Sequence, residues 1–103
     1  MSIPTGVGVN TMVRANSIEW DTRSEVDFVG TEIHISTNNS FVPTSSTLTS
    51  LKSTDTTYIW VFPDGDEDTR YCRIGHFDAF GQTGISYSPI FALNYSNQGL
   101  LFD

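Results

Sequence analysis

Arg70-Tyr71-Cys72-Arg73-Ile74-Gly75-His76-Phe77-Asp78-Ala79-Phe80-Gly81-Gln82-Thr83-Gly84-Ile85-Ser86-Tyr87-Ser88-Pro89 reads as a strand, a tight connection and a second strand closed by a serine-proline. The strands are predicted over Arg70 to Asp78 and Ile85 to Leu93, joined across Ala79 to Gly84. Successive residues of a strand point to opposite faces, so parity decides what is buried. With Tyr71 inward, Arg73, Gly75 and Phe77 follow, and burying an unpaired arginine is costly. The preferred register therefore turns Cys72, Ile74 and His76 to the core and Tyr71, Arg73 and Phe77 outward.

The rest of the chain repeats this pattern: short β-branched and aromatic runs separated by Gly, Pro, Asn, Asp and Ser clusters. Thr5 to Val9 follows Pro4 and reads as a short edge strand, since proline donates nothing to a ladder. Val13 to Asp21 alternates, with Ile18 and Trp20 on one face and Ser17 and Glu19 on the other. Thr22 to Gly30 is a polar, acidic loop. In Thr31 to Thr37, Ile33 and Ile35 point one way and Glu32, His34 and Ser36 the other. Asn38 to Thr54 holds one or two short strands anchored by Phe41, Val42, Leu48 and Leu51. Thr56 to Phe62 is a strongly β-prone run, followed by a turn at Pro63 to Asp68. Helical periodicity is absent. About seven strands in one sheet would leave an apolar face in water; two sheets packed face to face bury it. The expected fold is all-β, a two-sheet immunoglobulin-like β-sandwich.

Composition narrows the class. The 103 residues fit one domain, expected over residues 1–93, with 94–103 a tail or the start of a next segment. The net charge is −7, and Arg14, Arg23, Lys52, Arg70 and Arg73 are scattered, which argues against nucleic-acid phosphates and anionic membrane surfaces. With one cysteine, Cys72, no intrachain disulfide can form. Met1-Ser2-Ile3-Pro4 does not read as a signal peptide, and no apolar run reaches transmembrane length. Leu100-Leu101-Phe102 reads either as a tail packed on the domain or as the cut end of a longer chain.

Several stretches resemble fibronectin type III domains. Trp20, in Ile18-Glu19-Trp20-Asp21, looks like that family's core tryptophan. Ile3-Pro4-Thr5-Gly6-Val7 is similar to its Pro-x-Gly-Leu opening, and Tyr71 to Gly81 resembles its Tyr-x-x-Arg-Val-x-Ala-x-Asp-x-x-Gly run. Phe77 to Pro89 and Asp27-Phe28-Val29-Gly30-Thr31-Glu32-Ile33 are closest to the versions in host-specificity and tail-tip proteins of long-tailed bacteriophages. The likeness runs from Pro4 to about Phe91. It departs at Arg70, which takes the slot of the family's corner tyrosine while Tyr71 falls one position late, and in a longer preceding turn.

No catalytic constellation is legible. His34 and His76 lack clustered partners at ligand spacing, so no metal is expected. Asp64, Asp66 and Asp68 alternate, but a calcium loop would need glycine where Thr69 stands and glutamate where Gly75 stands; a solvated acidic turn is the reading. Cys72 is expected as a buried, inert thiol. No nucleophile elbow or phosphate-cradling glycine loop occurs, and no cofactor is implied. Asn38-Asn39-Ser40 and Asn94-Tyr95-Ser96 are glycosylation sequons of the kind that arise by chance.

The candidate interaction face is the outer side of the sheet carrying Glu32, His34, Ser36, Tyr71, Arg73 and Phe77, because aromatics beside an arginine are enriched at contacts. The resemblance implies a non-catalytic structural or interaction module of a larger virion protein, a tail-tip or tail-fibre component contacting other virion proteins or neighbouring domains. The alternative is an extracellular ligand-binding module for carbohydrate or a host surface protein, with Tyr71, Phe77, Phe80, Tyr87 and Trp60 stacking on sugars.

Overall fold

A computed structural model describes residues 2–79 and 84–97. Among the described residues seven strands follow one another without a helix: β1 (Gly8–Met12), β2 (Ala15–Glu19), β3 (Phe28–Ser36), β4 (Leu48–Lys52), β5 (Thr57–Val61), β6 (Arg70–Asp78) and β7 (Phe91–Leu93). They form two antiparallel sheets, ordered β1-β2-β5 and β4-β3-β6-β7.

The inward residues of both sheets meet in one core of Ile18, Trp20, Ile33, Ile35, Cys72, Ile74 and Leu93, with Val7, Val9, Tyr58, Trp60 and Phe91 packed around it. Thus Cys72, Ile74 and His76 face inward, and the alternation of β3 and β6 has the parity its sequence dictates. That parity carries Arg70 inward too. Arg70 is 9% exposed, and both terminal nitrogens of its guanidinium bond the Asp66 carboxylate (2.6 and 3.3 Å). It also donates to the Asp68 carbonyl at 2.8 Å and stacks over Trp60 and Phe62. Its charge is paired, so the burial is tolerated. The guanidinium in turn holds the Asp66 carboxyl below the usual carboxylate range.

Three boundaries differ from expectation. The first strand runs to Met12, not Val9, and turns at Val13-Arg14, with Arg14 in the left-handed region at φ 55°. No glycine or asparagine marks that turn. Arg14 is held there instead by its N–H to the Ser96 carbonyl, its own carbonyl to the Phe62 N–H, and an ion pair with Asp64. Second, Phe28 to Gly30, predicted as loop, begins β3, across an irregular register with β6. Third, the predicted Ile85–Leu93 strand is broken. Cys72 opposes Phe91 and Gly75 opposes Tyr87, so Arg73 and Ile74 face three residues, Ser88, Pro89 and Ile90. This bulge leaves the Ile74 N–H without a ladder acceptor, and the buried Ser88 hydroxyl accepts it at 3.0 Å. Asn94 to Ser96 continue past β7 against the first hairpin, Asn16 Nδ2 donating to the Asn94 carbonyl and Tyr95 meeting Phe62 edge-on. The expectations placed on residues 98–103 lie outside the described residues.

His76 sits inside this fold at 1% exposure, its Nδ1 2.7 Å from the Thr31 hydroxyl and its ring against the edge of Phe28. Burial, with Arg23 adding to it, lowers its pKa from 6.5 to about 4. Between those two values the imidazole is neutral when folded and takes a proton on unfolding. Its stabilising contribution is complete above pH 6.5 and is lost as pH falls toward 4, about 2 kcal/mol of it by pH 5. Urea unfolding of wild type and His76→Leu at pH 7 and pH 5 should show wild type losing that much more. Every other ionisable side chain is common to both proteins, so equal losses would refute the assignment.

Candidate functional site

The outer face of the four-stranded sheet carries the most concentrated polar chemistry. Pairing of β3 with β6 sets Gly30 opposite Phe77, Glu32 opposite Gly75, His34 opposite Arg73 and Ser36 opposite Tyr71. All five candidate residues therefore share one face. Tyr71, Arg73 and Phe77 are half-buried. Glu32 and His34 are not exposed, as an interaction surface would require: they are 4% and 3% exposed.

Tyr87 and the 43–48 segment cover them. Opposite Tyr87 stands Gly75, and with no side chain there the ring lies down onto the sheet; a Cβ at Gly75 would stand 2.7 Å from Tyr87 Cδ1. The phenol reaches Glu32 and donates to Oε1 at 2.8 Å, while His34 Nε2 donates to the same oxygen at 2.7 Å. His34 Nδ1 lies 2.8 Å from the Thr47 hydroxyl, and its ring meets Tyr87 edge-on. Arg73 stacks over Tyr87 and donates Nε to the Ser88 carbonyl at 2.8 Å. Burial, the bond to Glu32 and that carboxylate's charge push the Tyr87 phenol far above its ordinary range, so it stays a donor. Beside the cluster lies a cavity of about 220 Å³ lined by Glu32, His34, Pro43, Thr44, Ser45, Leu48 and Tyr87.

The frame is shared with solved structures. The chain is similar to part of the crystal structure of the chicken CNTN1 FN1-FN3 domains, with a TM-score of 0.71 at 13% identity over 92% of this chain and 32% of that one. The fold is that of a fibronectin type III domain. A second similarity is to the Clostridium perfringens spore cortex lytic enzyme SleM, with a TM-score of 0.59 at 16% identity over 90% of this chain and 28% of that one. The chain thus spans about a third or less of the length of the solved chains it matches. No protein-family model matches the sequence, and no curated protein does.

Within the fibronectin type III frame, Thr47, His34 and Glu32 line up as hydroxyl, imidazole and carboxylate. The hydroxyl, however, closes its own turn, accepting the Thr44 N–H at 2.9 Å and lying 3.0 Å from the Thr44 carbonyl. The imidazole beside it is covered. The cluster pins the 44–47 turn and the Tyr87 segment onto β3; it does not present a nucleophile.

The other candidates disperse. Cys72 is fully buried and burial pushes its thiol up, away from the reactive thiolate. Asp64 and Asp66 pair with different arginines, Arg14 and Arg70, and among the described residues no three His, Cys, Asp or Glu side chains gather as a metal site. Trp60 packs against the core from the three-stranded sheet, while Tyr71, Phe77 and Tyr87 belong to the other, so they build no common sugar platform. Phe80 lies outside the described residues. Sequence reading missed Tyr87 as the cover and Thr47 as an anchor. A mid-strand glycine was the available signal, since it marks close approach of another group.

Proposed function

We propose that the chain is a non-catalytic interaction and spacer module within a longer protein. The observation carrying this reading is the fold itself, which in both similar structures occupies a fraction of a longer chain. Its most chemically equipped face supports it, because the polar groups there are spent on one another. Tyr71, Arg73 and Phe77 then form the surface offered to a neighbour, a virion protein or an adjacent domain. Placement in a phage tail tip or tail fibre rests on the wording of Asp27 to Ile33 and Phe77 to Pro89.

A tryptophan-fluorescence titration with a glycan panel and peptidoglycan fragments, with products followed by mass spectrometry, tests the class. No saturable change and no product is the expected result. A saturable change abolished by Tyr71→Ala would establish a recognition module for sugars instead, and product formation an enzyme. Immunoelectron microscopy with an antibody to this chain tests the tail placement on particles encoded beside its gene; unlabelled tails would remove it.

A further inference from the structure

We propose that β5 pairs edge to edge with β5 of a second copy of this chain, joining two three-stranded sheets into one across a two-fold axis. In antiparallel pairs, alternate residues aim their backbone bonds at the partner strand. Phe62 N donates to the Arg14 carbonyl and Trp20 N to the Thr56 carbonyl, which sets the phase. Tyr58 and Trp60 therefore bond toward β2, and Thr57, Ile59 and Val61 turn their N–H and C=O groups to the open edge. Among the described residues these groups have no hydrogen-bond partner. The same residues face solvent with their side chains, Ile59 being 52% and Val61 61% exposed.

Open edges invite pairing unless blunted by charge, proline, a bulge or shortness. The edge strand β4 pairs irregularly near Ile33/His34 and ends in Lys52; β7 is three residues long and follows Pro89. The third edge, β1, is entered through Pro4 and a left-handed Gly6. Thr57-Tyr58-Ile59-Trp60-Val61 carries none of these devices.

The occupant is a second copy because the strand is complementary to itself. With Ile59 on the two-fold axis it opposes its own counterpart, and Thr57 opposes Val61 of the second copy. Each such pair exchanges both backbone bonds and brings side chains together on the solvent face. Pro63, which has no N–H, ends the pairing just beyond. The contact closes on itself rather than propagating. The five paired residues carry no charge and Asp64 beyond one end is held by Arg14, but exposed Asp55 beyond the other falls opposite Pro63 of the second copy, so its charge adds to the opposition from the −7 carried by each copy.

Sedimentation equilibrium of the 103-residue chain from micromolar to millimolar concentration tests this, at low and high salt. A monomer–dimer equilibrium that tightens with salt is expected, with Thr57, Ile59 and Val61 amides exchanging more slowly as concentration rises. That readout uses the unaltered chain. Ile59→Lys sets two ammonium groups side by side at the axis and should weaken the dimer by at least about tenfold. Ile59→Thr, uncharged and β-prone, should weaken it less. A monomer throughout overturns the proposal. So does a dimer whose Thr57, Ile59 and Val61 amides exchange at the monomer rate, which would mean face stacking of Ile59 and Val61 or pairing through another edge.

Discussion

Glu32→Ala should destabilise the domain by about 3 kcal/mol, a large share of the stability a domain of this size possesses. The carboxylate lies under Tyr87 and accepts from the phenol and from His34 Nε2. Truncation leaves both donors buried and unpartnered, at about 1–3 kcal/mol each, and opens a void. Removing a desolvated charge offsets part of that. Glu32→Gln, which keeps an acceptor oxygen in place, should cost about half as much. The measurement is the urea midpoint at constant m-value, completed by a double-mutant cycle with Tyr87→Phe. Coupling of about 1 kcal/mol is expected; an additive cycle would mean that water, not Glu32, satisfies the phenol.

The same cluster shows where local pattern stops being informative. Alternation along Glu32-Ile33-His34-Ile35 and Cys72-Arg73-Ile74 is a property of each strand by itself, so the faces could be assigned residue by residue. What covers a face is not local. Tyr87 reaches Glu32 only because chain pairing brings it onto Gly75, and Thr47 reaches His34 through a turn in the Ser- and Thr-rich stretch with the weakest strand signal. Arg70 is the converse case. The parity that keeps Arg73 from burial carries Arg70 inward, and only the contact with Asp66 shows why that is affordable. The turn at Val13-Arg14 was hidden for a third reason: its left-handed residue is an arginine, stabilised by partners distant in sequence.

Gly75→Val should destabilise by about 3 kcal/mol or more, and here propensity and packing predict opposite signs. Gly75 lies inside β6 without a left-handed φ, so replacing it with a β-branched residue would by propensity add up to about 1 kcal/mol. A Cβ at that position, however, would stand 2.4 Å from Ile85 Cγ2, 2.7 Å from Tyr87 Cδ1 and 2.9 Å from Tyr87 Cε1. The Ile85 methyl must shift and the ring must lift. Lifting it takes the phenol from Glu32, the stacking surface from Arg73 and the cover from His34, while the valine makes no new buried contact in return. The two origins separate in a Tyr87→Ala background, where the ring's part of the obstruction is gone and the Ile85 methyl at 2.4 Å remains. There Gly75→Val should cost less than it does in wild type, with the remainder due to Ile85, so the pair is non-additive. A Gly75→Val protein more stable than wild type would show that the ring does not rest on this glycine, and the assignment of Tyr87 as the lid over Glu32 and His34 would fall with it.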